Sequence, residues 1–345
     1  MSHIINKTIY MTYHSPLPAF VMSRWYENNR DYVFDFSMDA DCISFLETAF
    51  SRNIAELFKY IPRGMYKADL WRLCKLYIHG GVYADIDLVP HLTISALDND
   101  VTFYSCLSMG AQFMFQAFMK QSRAKSPLIL GCLVSFLMNK PYKDIHNGPC
   151  SDMYHFILYN VRHTDSEGHG SSVDRLETHK RYTIPQIKIP VFIPTNEDFV
   201  SLHYFPDNIE YSISISSDTQ NADVLANKEN YRFYIRDHTL FMDTTTTTTT
   251  TTTDDDTAAS TDDEQGIIVD ICFDLPEDEP EVIFLFEECI RTPRDISTCY
   301  IKHQNKNIMD CRDVRYVRDQ GWVAPPSIAP SLRSAATPSA AASPP

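Results

Sequence analysis

The sequence has no run of about 18 apolar residues, the length a membrane-spanning helix needs. Its first residues, MSHIINKTIY, lack the basic segment followed by an apolar one that marks a secretory leader. A soluble, cytoplasmic protein without a transmembrane segment is therefore expected. The nine cysteines, at 42, 74, 106, 132, 150, 272, 289, 299 and 311, form no CxxC pair and are odd in number. They point to reduced thiols in a cytosol-like compartment. Positive charge is also scarce: 30 Lys and Arg stand against 45 Asp and Glu, a formal net charge of −15. That balance argues against nucleic acid as a partner, although part of the excess lies in one acidic segment.

What is present belongs to a globular protein: 44% apolar and 12% aromatic residues in a chain of 345. On a scale of roughly 100 to 200 residues per domain, about two are expected. Ten consecutive threonines from Thr244, followed by aspartate-rich steps to Glu264, form a low-complexity stretch that cannot support a core. The expected organisation is a main α/β domain at 1–243, a linker at 244–265, a small β-rich module at 266–322 and a disordered tail at 323–345. The module is read from alternation in GIIVDICFDL, EVIFLFEE, TCYIKH and VRYVRD.

The densest signal is Tyr66 to Pro90, YKADLWRLCKLYIHGGVYADIDLVP. Leu70, Leu73, Leu76 and Tyr77 recur at helical spacing, and Gly80 with Gly81 supplies a helix stop. Val82 to Ala84 read as the end of a buried strand, and strand alternation would then place Asp85 and Asp87 on one face. Neighbouring carboxylates repel and are kept ionised by a hard divalent cation, so Mg2+ or Mn2+ is the natural ligand of such a pair. Such ions keep open positions for phosphate oxygens, which points to a phosphate-bearing substrate. A bare Asp-x-Asp also fits an ordinary acidic turn. One helical turn apart on the preceding helix, Asp69 and Arg72 supply a second polar pair, either for ligand contact or as an internal ion pair.

Taken together, A-D-L-W-R-L, then G-G-V-Y, then D-x-D and Pro, resemble the DXD sugar-binding motif of glycosyltransferase family 32. Further segments extend the resemblance towards residue 240. KTIYMT is similar to the family's opening strand, with Tyr13 in the place of the aromatic that meets the nucleotide base and Tyr10 replacing the usual His. S-R-W-Y-E-N-N-R-D-Y-V-F-D-F mirrors another family stretch, in which Trp25 reads as a packing residue. Q-A-F-M-K-Q-S-R-A-K-S-P carries Gln116 where the family has Asn, and the turn Asn147 to Pro149 has Asn for Thr. His238 stands where members place a histidine near metal and diphosphate.

The resemblance implies a GT-A-like fold and a metal-dependent retaining glycosyltransferase. It would move a hexose from a nucleotide-diphosphate sugar to a glycan or protein acceptor. Asp85 and Asp87 would hold the ion, Asp69 and Arg72 the sugar hydroxyls, and Tyr13, Tyr83, Gln116 and His238 the rest of the donor. Two alternatives stay open. D-I-D-L-V with Asp270 and Asp274 imitates a haloacid-dehalogenase-type phosphatase, whose first Asp is a nucleophile. The departures at Gln116 and Asn147 also suit a catalytically inactive carbohydrate-binding or scaffold protein. A second D-x-D, Asp39 and Asp41, opens a helix and reads as capping, with no metal assigned.

Overall fold

The computed structural model describes residues 6–91, 93–97, 99–108, 113–138, 149–164, 170–172, 174–184, 187–194, 213–216, 231–236, 239–244, 266–273, 281–291, 297–311, 315–317 and 321–323. The chain opens β1 (Thr8–Thr12), α1 (Ala19–Asn28), β2 (Val33–Ser37), α2 (Asp39–Ala49), α3 (Arg52–Tyr60), α4 (Gly64–His79), β3 (Gly81–Ala84) and β4 (Leu88–Pro90). A short 3-10 turn precedes β5 (Phe103–Leu107), β6 (Met114–Gln121), α5 (Pro127–Met138) and α6 (Pro149–Asn160). Short strands β7 (Arg162–Thr164), β8 (Gly170–Ser172) and β9 (Arg181–Thr183) lead to β10 (Ile187–Pro194), β11 (Ile213–Ser216), β12 (Tyr231–Arg236) and β13 (Thr239–Thr244). The rest is β14 (Gly266–Phe273), β15 (Glu281–Arg291), β16 (Ser297–His303), β17 (Lys306–Cys311), β18 (Arg315–Val317) and β19 (Gly321–Val323). The architecture is mixed α/β, as expected, and no helix among the described residues is long and apolar enough to cross a membrane.

The main sheet runs β2-β1-β3-β6-β5-β15-β16-β17-β4, with β7 to β9 branching from β15. β1 pairs in parallel with β2 and β3, and β6 lies antiparallel to β3 and β5. In this order β3 is the third strand and β4 the last, yet only residues 85–87 join them. Four peptide steps reach at most about 14 Å. Six strand spacings in a flat sheet would need about 29 Å. The sheet therefore curls until its end strand returns beside β3, and the D-x-D segment bridges the gap.

Strand alternation sorts the apolar residues into two cores. Tyr10 and Tyr83 point into the core shared with α2 to α6, while Ile9, Met11, Val82 and Ala84 pack on the opposite face with Trp25. α4 lies in the first core and is buried nearly all round. Its glycine stop is used twice. Gly80, at φ +63, caps the helix by donating its N–H to Leu76 O at 2.8 Å. At Gly81, φ +96, an added Cβ would stand 2.9 Å from the Thr8 carbonyl, so only glycine lets β3 leave the helix against β1. α1 clamps the far side of the D-x-D turn: Trp25 Nε1 donates to Leu88 O at 2.7 Å and Asn28 Nδ2 to Pro90 O at 3.1 Å.

α2 and α3 are separate helices, because the Ser51 hydroxyl accepts from Ile54 N–H and starts a new helix. Residues 114–119 belong to strand β6. Its apolar run is buried on both faces between β3 and β5, a pattern that periodicity alone does not separate from a helix. The short strands β7 and β8 fall within residues 162–180. Among the described residues of 266–322, β18 and β19 form a two-stranded sheet of their own, whereas β14, β15 and β17 pair with strands from the first part of the chain. β15 pairs in parallel with β5, β17 pairs with β4, and β14 pairs with β10 and β11. Most of the 244–265 stretch lies outside the described residues. Backbone hydrogen bonding overrides the composition break: unpaired edges of β5 and β4 would be costly inside a curled sheet.

A chain ending at residue 265 would leave β4 and β5 without these partners. Its thermal midpoint is expected to fall by more than about 10 °C, or its cooperative melt to vanish. A truncated chain melting at the full-length temperature would restore the separate-module organisation.

Candidate functional site

The ends of β1, β3, α2, α3 and α4 enclose a cavity of about 600 Å3, within the ordinary range of ligand sites. Thr12, Tyr13 and His14 wall it on one side, and Asp39, Phe58 and Lys67 on another. The floor holds Arg72, Tyr83, Asp85 and Asp87. Both D-x-D carboxylates therefore line one space, but not for the expected reason. Residues 85–87 form a turn closed by Leu88 N–H donating to Asp85 O at 3.2 Å, and are not a continuing strand.

Arg72 is 4% exposed and engaged on every side. Its Nε donates to Ala68 O at 3.2 Å and its Nη1 to Gln116 O at 2.5 Å. Nη2 meets Asp69 Oδ1 at 3.3 Å and Asp85 Oδ1 at 3.4 Å, and the guanidinium lies 4.2 Å from the Tyr83 ring centre. Tyr83 donates its hydroxyl to Asp85 Oδ1 at 2.6 Å. Burial holds the Tyr83 hydroxyl well above its ordinary pKa, so it stays a donor. The Asp85 backbone N–H is fixed to Ala117 O at 2.8 Å. Both side-chain contacts of Asp85 fall on Oδ1, which leaves Oδ2 for a ligand.

Not every expected residue reaches the cavity. Asp69 is 4% exposed and absent from the lining, so it orients Arg72 without facing the space. What Gln116 brings to the site is its main-chain oxygen, since the residue is 2% exposed and also absent from the lining. Tyr13 lines the cavity, with its ring centre 4.2 Å from that of His14. His238 and Asn147 lie outside the described residues. Asp270 belongs to β14 in the five-stranded sheet, not to the sheet of the D-x-D turn, and so does not support the phosphatase alternative. Cys74 is fully buried and burial raises its thiol pKa, which suits packing and not nucleophilic chemistry.

Three lining residues escape the sequence reading. Asp41, not Asp39, caps α2: its Oδ2 accepts from Met38 N–H at 3.0 Å. Asp39 is left facing the cavity, where Lys67 Nζ meets its Oδ2 at 3.1 Å. Phe58 lies under that ammonium, its ring centre 5.1 Å from Nζ. The available signal was the stripe Gly64, Ala68, Arg72 at i, i+4, i+8 of α4, whose two small residues leave one helix face open.

The donor set suits a hard divalent ion, because two carboxylates from one short turn face the same cavity and Asp85 keeps one oxygen uncommitted. Among the described residues, no group of three or more His, Cys, Asp or Glu side chains converges. An ion here would take its remaining oxygens from ligand and water.

The geometry defines an α/β protein with a DXD-type cavity. Residues 19–104 match the family model described as glycosyltransferase sugar-binding region containing DXD motif. The initiation-specific alpha-1,6-mannosyltransferase of Candida albicans (strain SC5314 / ATCC MYA-2876) is 34% identical over 67 residues, covering 19% of this chain. The match spans 17% of that protein's length. Among solved structures, PaToxG Glycosyltransferase is 14% identical with a TM-score of 0.34, covering 45% of this chain and 68% of that one.

Burial pushes the Asp69 carboxyl up to about 6, Arg72 opposes the shift and Asp85 adds to it. A folded-state pKa above the unfolded one contributes stability below the usual carboxylate range, and that contribution is lost as pH rises through about 6. Asp69→Asn, which cannot titrate, should therefore gain on the wild type between pH 4 and pH 7. In urea melts the gain should be on the order of 1–3 kcal/mol. A difference that stays constant across that range would show that Asp69 is ionised throughout.

Proposed function

We propose that the protein is a metal-dependent retaining glycosyltransferase of GT-A-like fold, moving a hexose from a nucleotide-diphosphate sugar to a glycan or protein acceptor. The observation that carries the reading is the convergence of Asp85 and Asp87 on a cavity large enough for such a donor, inside a matched sugar-binding region. Asp87 would hold Mn2+ or Mg2+ directly, and Asp85 would hold it through water or contact the ribose. When bound, the ion supplies neutralisation of the diphosphate leaving group.

The chain's own residues do the rest. Arg72 and the Tyr83 hydroxyl fix Asp85 by holding Oδ1, so its free oxygen is aimed without a reorganisation cost. Tyr13, at the end of β1, offers a ring on which a nucleobase can stack. Retention of configuration, and with it the choice of a retaining over an inverting course, rests on the resemblance.

The test offers a panel of nucleotide sugars with Mn2+ and measures release of free nucleoside diphosphate. Asp87→Asn should lower turnover by at least about 100-fold while leaving the thermal midpoint within about 2 °C, because its side chain faces the cavity and not the core. Unchanged turnover in that variant would remove Asp87 from the mechanism. No hydrolysis and no donor binding by the wild type would leave the inactive carbohydrate-binding reading in its place.

A further inference from the structure

Sugar hydroxyls need a donor and an acceptor side by side. The resemblance gives that task to Asp69 and Arg72, but neither has the capacity for it here. Asp69 does not line the cavity, and Arg72 spends its guanidinium on Ala68 O, Gln116 O, Asp69 and Asp85. Resting on the glycosyltransferase reading above, we infer that Asp39 and Lys67 form the hydroxyl-recognition pair that selects the sugar.

Both residues line the cavity, and their side chains are 42% and 22% exposed. Lys67 Nζ and Asp39 Oδ2 stand 3.1 Å apart, at hydrogen-bond distance, as neighbouring oxygens on a sugar ring also do. The ammonium has three N–H donors, of which Asp39 takes one, and the carboxylate keeps lone pairs on both oxygens. One hydroxyl of a vicinal diol can donate to Asp39 while the next accepts from Lys67. The pair is held ready for this. Asp39 opens α2, where the helix N-terminus favours negative charge, and the Phe58 ring lies under the ammonium. An ion pair that solvent reaches contributes little to folding, so its geometry has little structural work to do. Because its charges cancel, the pair suits a neutral polyol better than a phosphate.

The experiment measures calorimetric affinity, with Mn2+, for nucleoside diphosphate hexoses and for the matching free nucleoside diphosphates. It compares full-length wild type, Asp39→Asn, Lys67→Met and the exchanged double variant Asp39→Lys with Lys67→Asp. Each single variant should bind the sugar-bearing ligand about tenfold more weakly, as the loss of one charged hydrogen bond implies, with the free diphosphate within about twofold of wild type. A monodeoxy series should contain one hydroxyl whose removal weakens the wild type but not Asp39→Asn. The exchanged variant keeps the ion pair but reverses donor and acceptor, so it should fold and still bind the sugar poorly. Parallel loss of the free diphosphate would show that Lys67 holds phosphate and would overturn the assignment. Wild-type sugar binding in the exchanged variant, or unchanged affinity in both single variants, would also overturn it. A wild type that binds neither ligand would overturn the glycosyltransferase reading together with the pair.

Discussion

The site depends on one buried cation. Arg72 has been taken out of water, which is costly for an isolated charge, and the chain repays the cost with two carboxylates, two carbonyls and an aromatic face. Those partners come from α4, β3, β6 and the turn after β3, so satisfying Arg72 fixes the relative placement of all four. Asp85 is the partner at the cavity floor. Its position follows from the needs of a buried guanidinium, and the second carboxylate follows from the turn that Asp85 begins.

The curl of the main sheet is the complementary constraint. A three-residue link between the third and last strands leaves the sheet no option but to return on itself, and the link is the D-x-D segment. β17 and the side chains of Trp25 and Asn28 then hold β4 from two sides. The far C-terminal strands thus belong to the support of the site, although they enter the sequence after a composition break. A cavity lined by oxygen-bearing side chains at strand and helix ends results, with its rim set by the exposed pair on α2 and α4.

Much of this was legible in the residues. The glycine pair locates the end of α4 and the start of β3, and Asp85 and Asp87 after it line one cavity. What misled was the assumption of a continuing strand, because alternation and a tight turn can both bring residues i and i+2 to one side. β6 was hidden because an apolar run buried on both faces has no period to read. Asp39 was hidden because capping chemistry and ligand chemistry use the same residue types at a helix start. The pairing of β15 with β5, across more than 170 residues, is a non-local contact that composition does not encode.

The most direct test of the central claim is a crystal structure of the full chain grown with Mn2+ and a nucleoside diphosphate, with anomalous scattering recorded at the manganese edge. The account predicts one anomalous peak in the cavity, within coordination distance of Asp87, with diphosphate oxygens completing its shell and Arg72 still bound to Asp69 and Asp85. A nucleotide bound elsewhere, or manganese absent from the Asp85–Asp87 turn while nucleotide fills the cavity, would contradict it.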